Sequence, residues 1–119
     1  MSAGVTLTIS GAEGVLAKLD KLADKNAVAR IVAQNGAELQ QKAQRKSPVD
    51  TGTLRRSIRL DIEDGGMTAE VSANTEYAAY VEYGTRFMAA QPFLRPALAE
   101  QAEQFKIDLE RFASGKGGH

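Results

Sequence analysis

The first residues with a recognisable chemistry are Asp50-Thr51-Gly52 in this chain of 119 residues. Asp-Thr-Gly is the active-site triplet of aspartic proteases, whose reaction needs two such carboxylates sharing one proton across a two-fold axis. A chain with one copy meets that need only as a dimer, so a single-motif dimeric protease using Asp50 is one reading. Its surroundings oppose it. Ser47-Pro48 precedes the triplet, Arg55-Arg56 follows it, and much of the chain carries helical rather than strand periodicity. Asp61, Glu63 and Asp64 form a second acidic group. Asp61 and Glu63 share a strand face, but the spacing is not that of a calcium loop, and a solvated face is the plainer reading. Gly11 to Gly14 is too short and too acidic for a phosphate loop. There is no cysteine, and the single histidine, His119, follows Gly115-Lys116-Gly117-Gly118 at the end of the chain. The usual nucleophile–base pairs are therefore missing. The chain reads as a non-enzyme with no metal or cofactor.

Length predicts one domain, residues 1–113, followed by a flexible glycine-rich tail, 114–119. A chain of this mass buries about two thirds of its surface, enough for one core without disulfides. Formal net charge is zero, which argues against a protein built to coat nucleic acid. No apolar run approaches membrane-spanning length, so no membrane partner is expected. No basic start leads into an apolar block at the N-terminus, so the expected compartment is the cytoplasm where the chain is made.

The elements that must position any site divide around Ser47 to Ile58. Pro48 cannot donate a backbone hydrogen bond and disfavours helix at Ser47, so the upstream helix should stop there. Asp50 can accept from the amides of Gly52 or Thr53, and Gly52 allows a backbone shape other residues resist. Leu54 and Ile58 share one side of a short helical turn. Arg55, Arg56 and Arg59 project elsewhere as a basic cluster.

Upstream, Val5, Leu7 and Ile9 alternate with polar residues as a short strand. Val15, Leu16, Leu19, Leu22 and Ala23 recur at helical spacing, and Asp24-Lys25-Asn26 is a break or a polar turn. Val28, Ile31, Val32, Leu39 and Ala43 then mark one side of a long helix, interrupted by Gly36. Downstream, Ile58, Leu60 and Ile62, then Met67, Ala69, Val71 and Ala73, alternate with polar residues around Asp64-Gly65-Gly66. That is a β-hairpin with one buried and one charged face. Tyr77, Tyr80 and Tyr83 suit a short helix capped by Gly84, although Tyr77, Ala79, Val81 and Tyr83 also alternate like a strand. Phe87 to Gln91 is an apolar loop without a period, the composition of a contact surface. Pro92 and Pro96 bracket Phe93-Leu94-Arg95, with Pro96 in the first turn of a helix. Leu98, Ala102, Phe105, Leu109 and Phe112 make its apolar stripe. The predicted fold is α+β: a small, mainly antiparallel sheet of N-terminal strand plus hairpin, packed against a long N-terminal helical segment and a C-terminal helix.

Three pieces in this order and spacing resemble a known family: Ser47-Pro48-Val49-Asp50-Thr51-Gly52-Thr53-Leu54-Arg55-Arg56-Ser57-Ile58, then Tyr77-Ala78-Ala79-Tyr80-Val81-Glu82-Tyr83-Gly84-Thr85, then Gln91-Pro92-Phe93-Leu94-Arg95-Pro96-Ala97-Leu98. The chain resembles the small neck or tail-completion proteins of long-tailed bacteriophages and prophages, also called head–tail joining or tail-terminator proteins. The resemblance implies an α+β fold and no cofactor. It implies a ring, usually of six copies, at the head-proximal end of the tail tube. The partners it implies are other copies, the tail-tube protein, the head connector or stopper, and DNA passing without tight binding. The location would be the virion, after assembly in the host cytoplasm. A minor tail or DNA-contacting neck component is the alternative. A closed ring needs a heterologous interface. Candidate interface residues are Arg55, Arg56, Arg59 and Arg86 against acids such as Glu82 or Glu70, with Phe87, Met88 and Phe93 as apolar anchors. Pro48, Asp50, Gly52, Leu54, Gly84, Pro92 and Pro96 are the motif positions with a structural role.

Overall fold

A computed structural model describes residues 5–9, 25–48, 52–73 and 75–113. Its elements are β1 (Val5–Ile9), α1 (Lys25–Lys46), the single turn α2 (Thr53–Arg56), β2 (Ile58–Glu63), β3 (Thr68–Ala73), α3 (Glu76–Tyr83) and α4 (Leu94–Ala113), with a 3-10 turn at Asp64–Gly66 between β2 and β3. The fold is α+β, as the periodicities predict. The three strands form one antiparallel sheet in the order β1-β3-β2, and α1 and α4 pack together against it. The expected helix over Val15 to Ala23, Asp50 and the tail 114–119 lie outside the described residues. Lys25 and Asn26 already belong to α1.

α1 buries Val28, Val32, Leu39 and Ala43, the expected face, together with Asn35 and Gly36. Gly36 has a contact reason. A Cβ there would lie 2.8 Å from the Ala69 Cβ and 2.9 Å from Leu60 Cδ1. The helix backbone thus rests directly on β2 and β3, and this close approach offsets the roughly 1 kcal/mol that glycine costs a helix. α1 stops where Pro48 requires: the Ser47 amide donates to Ala43 O at 3.0 Å and its hydroxyl to Gln44 O at 2.7 Å.

The hairpin pairs Ile58 with Ala73, Leu60 with Val71 and Ile62 with Ala69; β1 joins the other side of β3, with Ile9 opposite Ala69. Ala69, Val71 and Ala73 face α1 and are fully buried. β3 departs from the simple alternation expected of it. Thr68 and Ser72, on its other face, are buried as well. As the central strand it is flanked on both sides, and the Thr68 hydroxyl donates to Asp64 Oδ2 at 2.8 Å. β2 is an edge strand, and Ile62 near its end remains 44% exposed.

α4 also differs in detail from its predicted stripe. Leu94, Ala97, Gln101 and Phe105 are its buried residues, Leu98, Leu109 and Phe112 are partly buried, and Ala102 is exposed. Gln101 enters the core with its Nε2 donating to Asn35 Oδ1 and, at 2.9 Å, to Glu38 Oε1, while its Oε1 is buried without a hydrogen-bond partner. Asn35 in turn donates to Asp108 Oδ2 and to Ile31 O, both at 2.9 Å. A polar strip therefore fixes how α1 and α4 meet, where periodicity alone predicts an apolar seam.

Candidate functional site

The three motif pieces converge at one end of the molecule. Arg55 Nε donates to Gln44 O at 3.2 Å, tying α2 to the end of α1. Gln40 Nε2 donates to Ile58 O at 3.1 Å, tying α1 to the start of β2. Lys46 forms a 2.6 Å ion pair with Glu100 of α4. The end of β3 leads into α3 through Thr75, whose Oγ1 accepts from Ala78 N at 3.1 Å as an N-cap.

Glu82 joins the second and third pieces. It is fully buried, and Oε1 accepts from the amides of Phe93 and Leu94 at 2.9 and 2.8 Å. Oε2 accepts from the Arg95 amide at 3.0 Å and from Arg95 Nε at 2.9 Å, while Arg95 Nη2 donates to Glu82 O at 3.0 Å. A helix begins with amides that have no partner within the helix. Here Glu82 takes those of Phe93, Leu94 and Arg95, and the next residue, Pro96, has none to satisfy. The positive end of the helix dipole adds to the fit. Burial pushes the Glu82 carboxyl up, but the amides of Leu94 and Phe93 and then the side chain and amide of Arg95 outweigh it and hold the group below its ordinary value. The Arg95 guanidinium also sits over the Tyr83 ring, 4.8 Å from its centroid.

Beyond this clamp the chain turns outward. α3 ends at Gly84, whose φ of 77° and ψ of 175° are open essentially to glycine alone. A Cβ there would also lie 2.8 Å from Ala90 N. Thr85 N donates to Met88 O at 2.8 Å, Met88 N to Thr85 O at 3.3 Å, and Phe87 N to Thr85 Oγ1 at 3.1 Å. Gln91 N donates to Val81 O at 2.7 Å, closing the loop onto α3. At the tip of this bonded turn the Phe87 side chain is 88% exposed, with the Arg86 guanidinium 5.2 Å from its ring centroid. Tyr77, Tyr80 and Tyr83 of α3 are each about half exposed. Four aromatic rings within eleven residues are thus presented to solvent from a helix and a locked turn.

The candidate residues separate accordingly. Arg56, Arg59, Arg86 and Phe87 are exposed, Met88 is partly so, and Arg55 is half-buried against α1. Glu82 and Phe93 lie inside instead of on the surface expected for contact residues: Glu82 is consumed by the α4 amides, and Phe93 fills the core beside Leu94. Among the motif positions, Gly52 holds a left-handed φ of 75° at the N-cap of α2, and Leu54 is buried. Pro92 is exposed and Pro96 sits in the first turn of α4. Sequence reasoning missed Arg95 as the partner of Glu82. Its signal was available only as a carboxylate, an arginine and a proline placed around a helix start.

Among the described residues no group of three or more His, Cys, Asp or Glu is placed to hold a metal ion, and no helix is long and apolar enough to cross a membrane. The sheet of three strands with helices on it is also not the all-β frame that the protease reading of Asp50 requires. What the fold does present is a small α+β domain whose distinctive surface is aromatic and cationic. The chain belongs to the family described as "Bacteriophage HK97-gp10, putative tail-component", which it matches over residues 13–84, more than half of its length. The match takes in the first motif piece and all of the second but Thr85, and the third is bonded to the second through Glu82. No curated protein and no solved structure matches the chain. By family it is a structural component of a bacteriophage tail, and so of the virion.

Proposed function

We propose that this protein is a tail-completion component that forms a ring at the head-proximal end of the tail tube, ends the tube there and joins it to the head connector. On this reading it carries out no catalysis, and DNA passes through the ring without tight binding. Family membership supplies the tail, and the observation that carries the rest is the Thr85–Met88 turn. An 88% exposed phenylalanine on a turn closed by its own hydrogen bonds costs solubility and adds almost no buried apolar area to the isolated fold. Such pre-ordered aromatic residues are the usual anchors of protein interfaces. The surrounding tyrosines and arginines are likewise the residue types that interfaces favour. Particles assembled without the protein, viewed by electron microscopy, test the reading. Overlong tails or tails without heads are the expected result; normal joined particles would count against it.

A further inference from the structure

The ionic surface of the molecule is uneven in a way its zero net charge hides. The sheet face turned away from α1 carries Thr6, Thr8, Thr68 and Ser72, together with Arg59, Asp61, Glu63 and Glu70. Thr6, Thr8, Arg59, Asp61 and Glu63 are exposed on it, Glu70 is partly buried, and Thr68 and Ser72 are buried. The register sets Asp61 directly opposite Glu70, with Glu63 one step further along the same face. Like charges opposed across a strand pair repel. Arg59 is the cation on this face, at the end near α2, and it forms no ion pair with these acids. The two ion pairs among the described residues are Lys46–Glu100 and Arg95–Glu82, so none of the three acids is in an ion pair.

The motif end is the reverse. Arg45, Arg56 and Arg86 are exposed there without an ion-pair partner. Of the described acidic side chains there, Glu82 is buried and Glu100 is already paired with Lys46. β2 runs about 17 Å from Ile58 to Glu63, and neither Arg56 nor Arg86 forms an ion pair with these acids within one copy.

We propose that copies of this chain associate head to tail, the Arg56, Arg86 and Phe87 end of one copy docking on the Asp61, Glu63 and Glu70 sheet face of the next. The inference rests on the ring reading above and names its contact surfaces. The two surfaces differ in charge and lie on different parts of the molecule, so the contact is heterologous, the kind that closes rings. Each cationic end relieves the Asp61–Glu70 repulsion of its neighbour, and the Phe87 ring supplies the apolar contact among the charges.

The absence of cysteine makes the test direct. A chain carrying both Arg86→Cys and Asp61→Cys, oxidised at high protein concentration and low salt, should give a ladder of covalent oligomers from dimer upward. Each single-cysteine variant should stay monomeric. Adding Arg56→Glu to the double-cysteine chain should remove most of the ladder. Without the cysteines, reversing Asp61 and Glu70 to lysine on one chain and Arg56 and Arg86 to glutamate on another should abolish self-association of each. Mixing the two should restore it, and sedimentation reads this out. Dimers from Arg86→Cys alone would mean a two-fold contact and overturn the proposal, as would no ladder up to millimolar protein. So would steeply salt-dependent DNA binding lost on reversing Arg56 and Arg86, with the acidic face indifferent to both assays, because the arginines would then serve phosphates. A ladder from a protein that electron microscopy finds nowhere in the tail would keep this contact and sink the tail-completion reading. Copies seen at the neck without any ladder would do the opposite.

Discussion

Replacing Glu82 by alanine tests the clamp that unites the motif. The change strips the acceptor from the fully buried amides of Phe93 and Leu94, from the Arg95 amide and from the Arg95 guanidinium. A buried donor left without a partner costs about 1–3 kcal/mol. Arg95 is half exposed and regains water, so the two buried amides dominate. The sum agrees with the loss of about 3–5 kcal/mol usual when one member of a buried ionic pair is deleted. Small domains have only about 5–15 kcal/mol in total. At this chain length each kcal/mol moves the melting temperature by roughly 4 °C, so Glu82→Ala should melt about 12–20 °C lower. Glu82→Gln keeps one acceptor and the shape and should lose about 1.5–3 kcal/mol. Arg95→Ala leaves the backbone amides satisfied and should lose about 1 kcal/mol. Urea and thermal unfolding measure all three. A loss below about 1 kcal/mol for Glu82→Ala would refute the capping argument, because the amides would then have found other partners.

Other consequences follow from the same contacts. The folded Glu82 carboxyl titrates below its ordinary value, so its contribution is present above the unfolded pKa near 4.5 and fades as pH falls through the lower folded value. Unfolding measured between pH 7 and 3 should therefore show an acid loss that Glu82→Gln flattens; equal slopes for the two proteins would contradict this. Gly36→Ala should destabilise by about 1–3 kcal/mol despite the better helix former, since the new methyl meets the rigid Ala69 Cβ at 2.8 Å. Gly84→Ala should lose about 2–3 kcal/mol in the same unfolding assay, from its backbone conformation and the Ala90 amide. Phe87→Ala should leave stability within about 0.5 kcal/mol yet lower incorporation into tailed particles, which quantitative immunoblotting of purified virions reads.

The hairpin, the end of α1 at Pro48 and the helix after Pro92 were legible because each rests on local signals: alternation, a missing donor, a proline in a first turn. Gly36 was visible as an anomaly, but its cause, Ala69 and Leu60 pressed against the helix, is a contact between elements and leaves no local trace. Gln101 and Asn35 carry no local mark of their burial, because it depends on a contact between their amides across two helices. Glu82 was chosen for its charge, and charge alone does not reveal that three amides eleven to thirteen residues downstream will consume it. Phe93 and Phe87 look alike in sequence. The first sits at the helix start under the Glu82 clamp and turns in, while the second sits at the tip of a closed turn and cannot. The tyrosines showed helical spacing, but the outward side of α3 is set by Ala78, Val81 and Glu82 taking the inward one.

The account depends on where copies of this chain sit in the assembled particle. Cryo-electron microscopy of the intact virion measures that most directly. A closed ring of copies between the head connector and the first layer of the tail tube is the predicted result, with Phe87 in a contact between chains. A resolved junction built entirely from other proteins would contradict it.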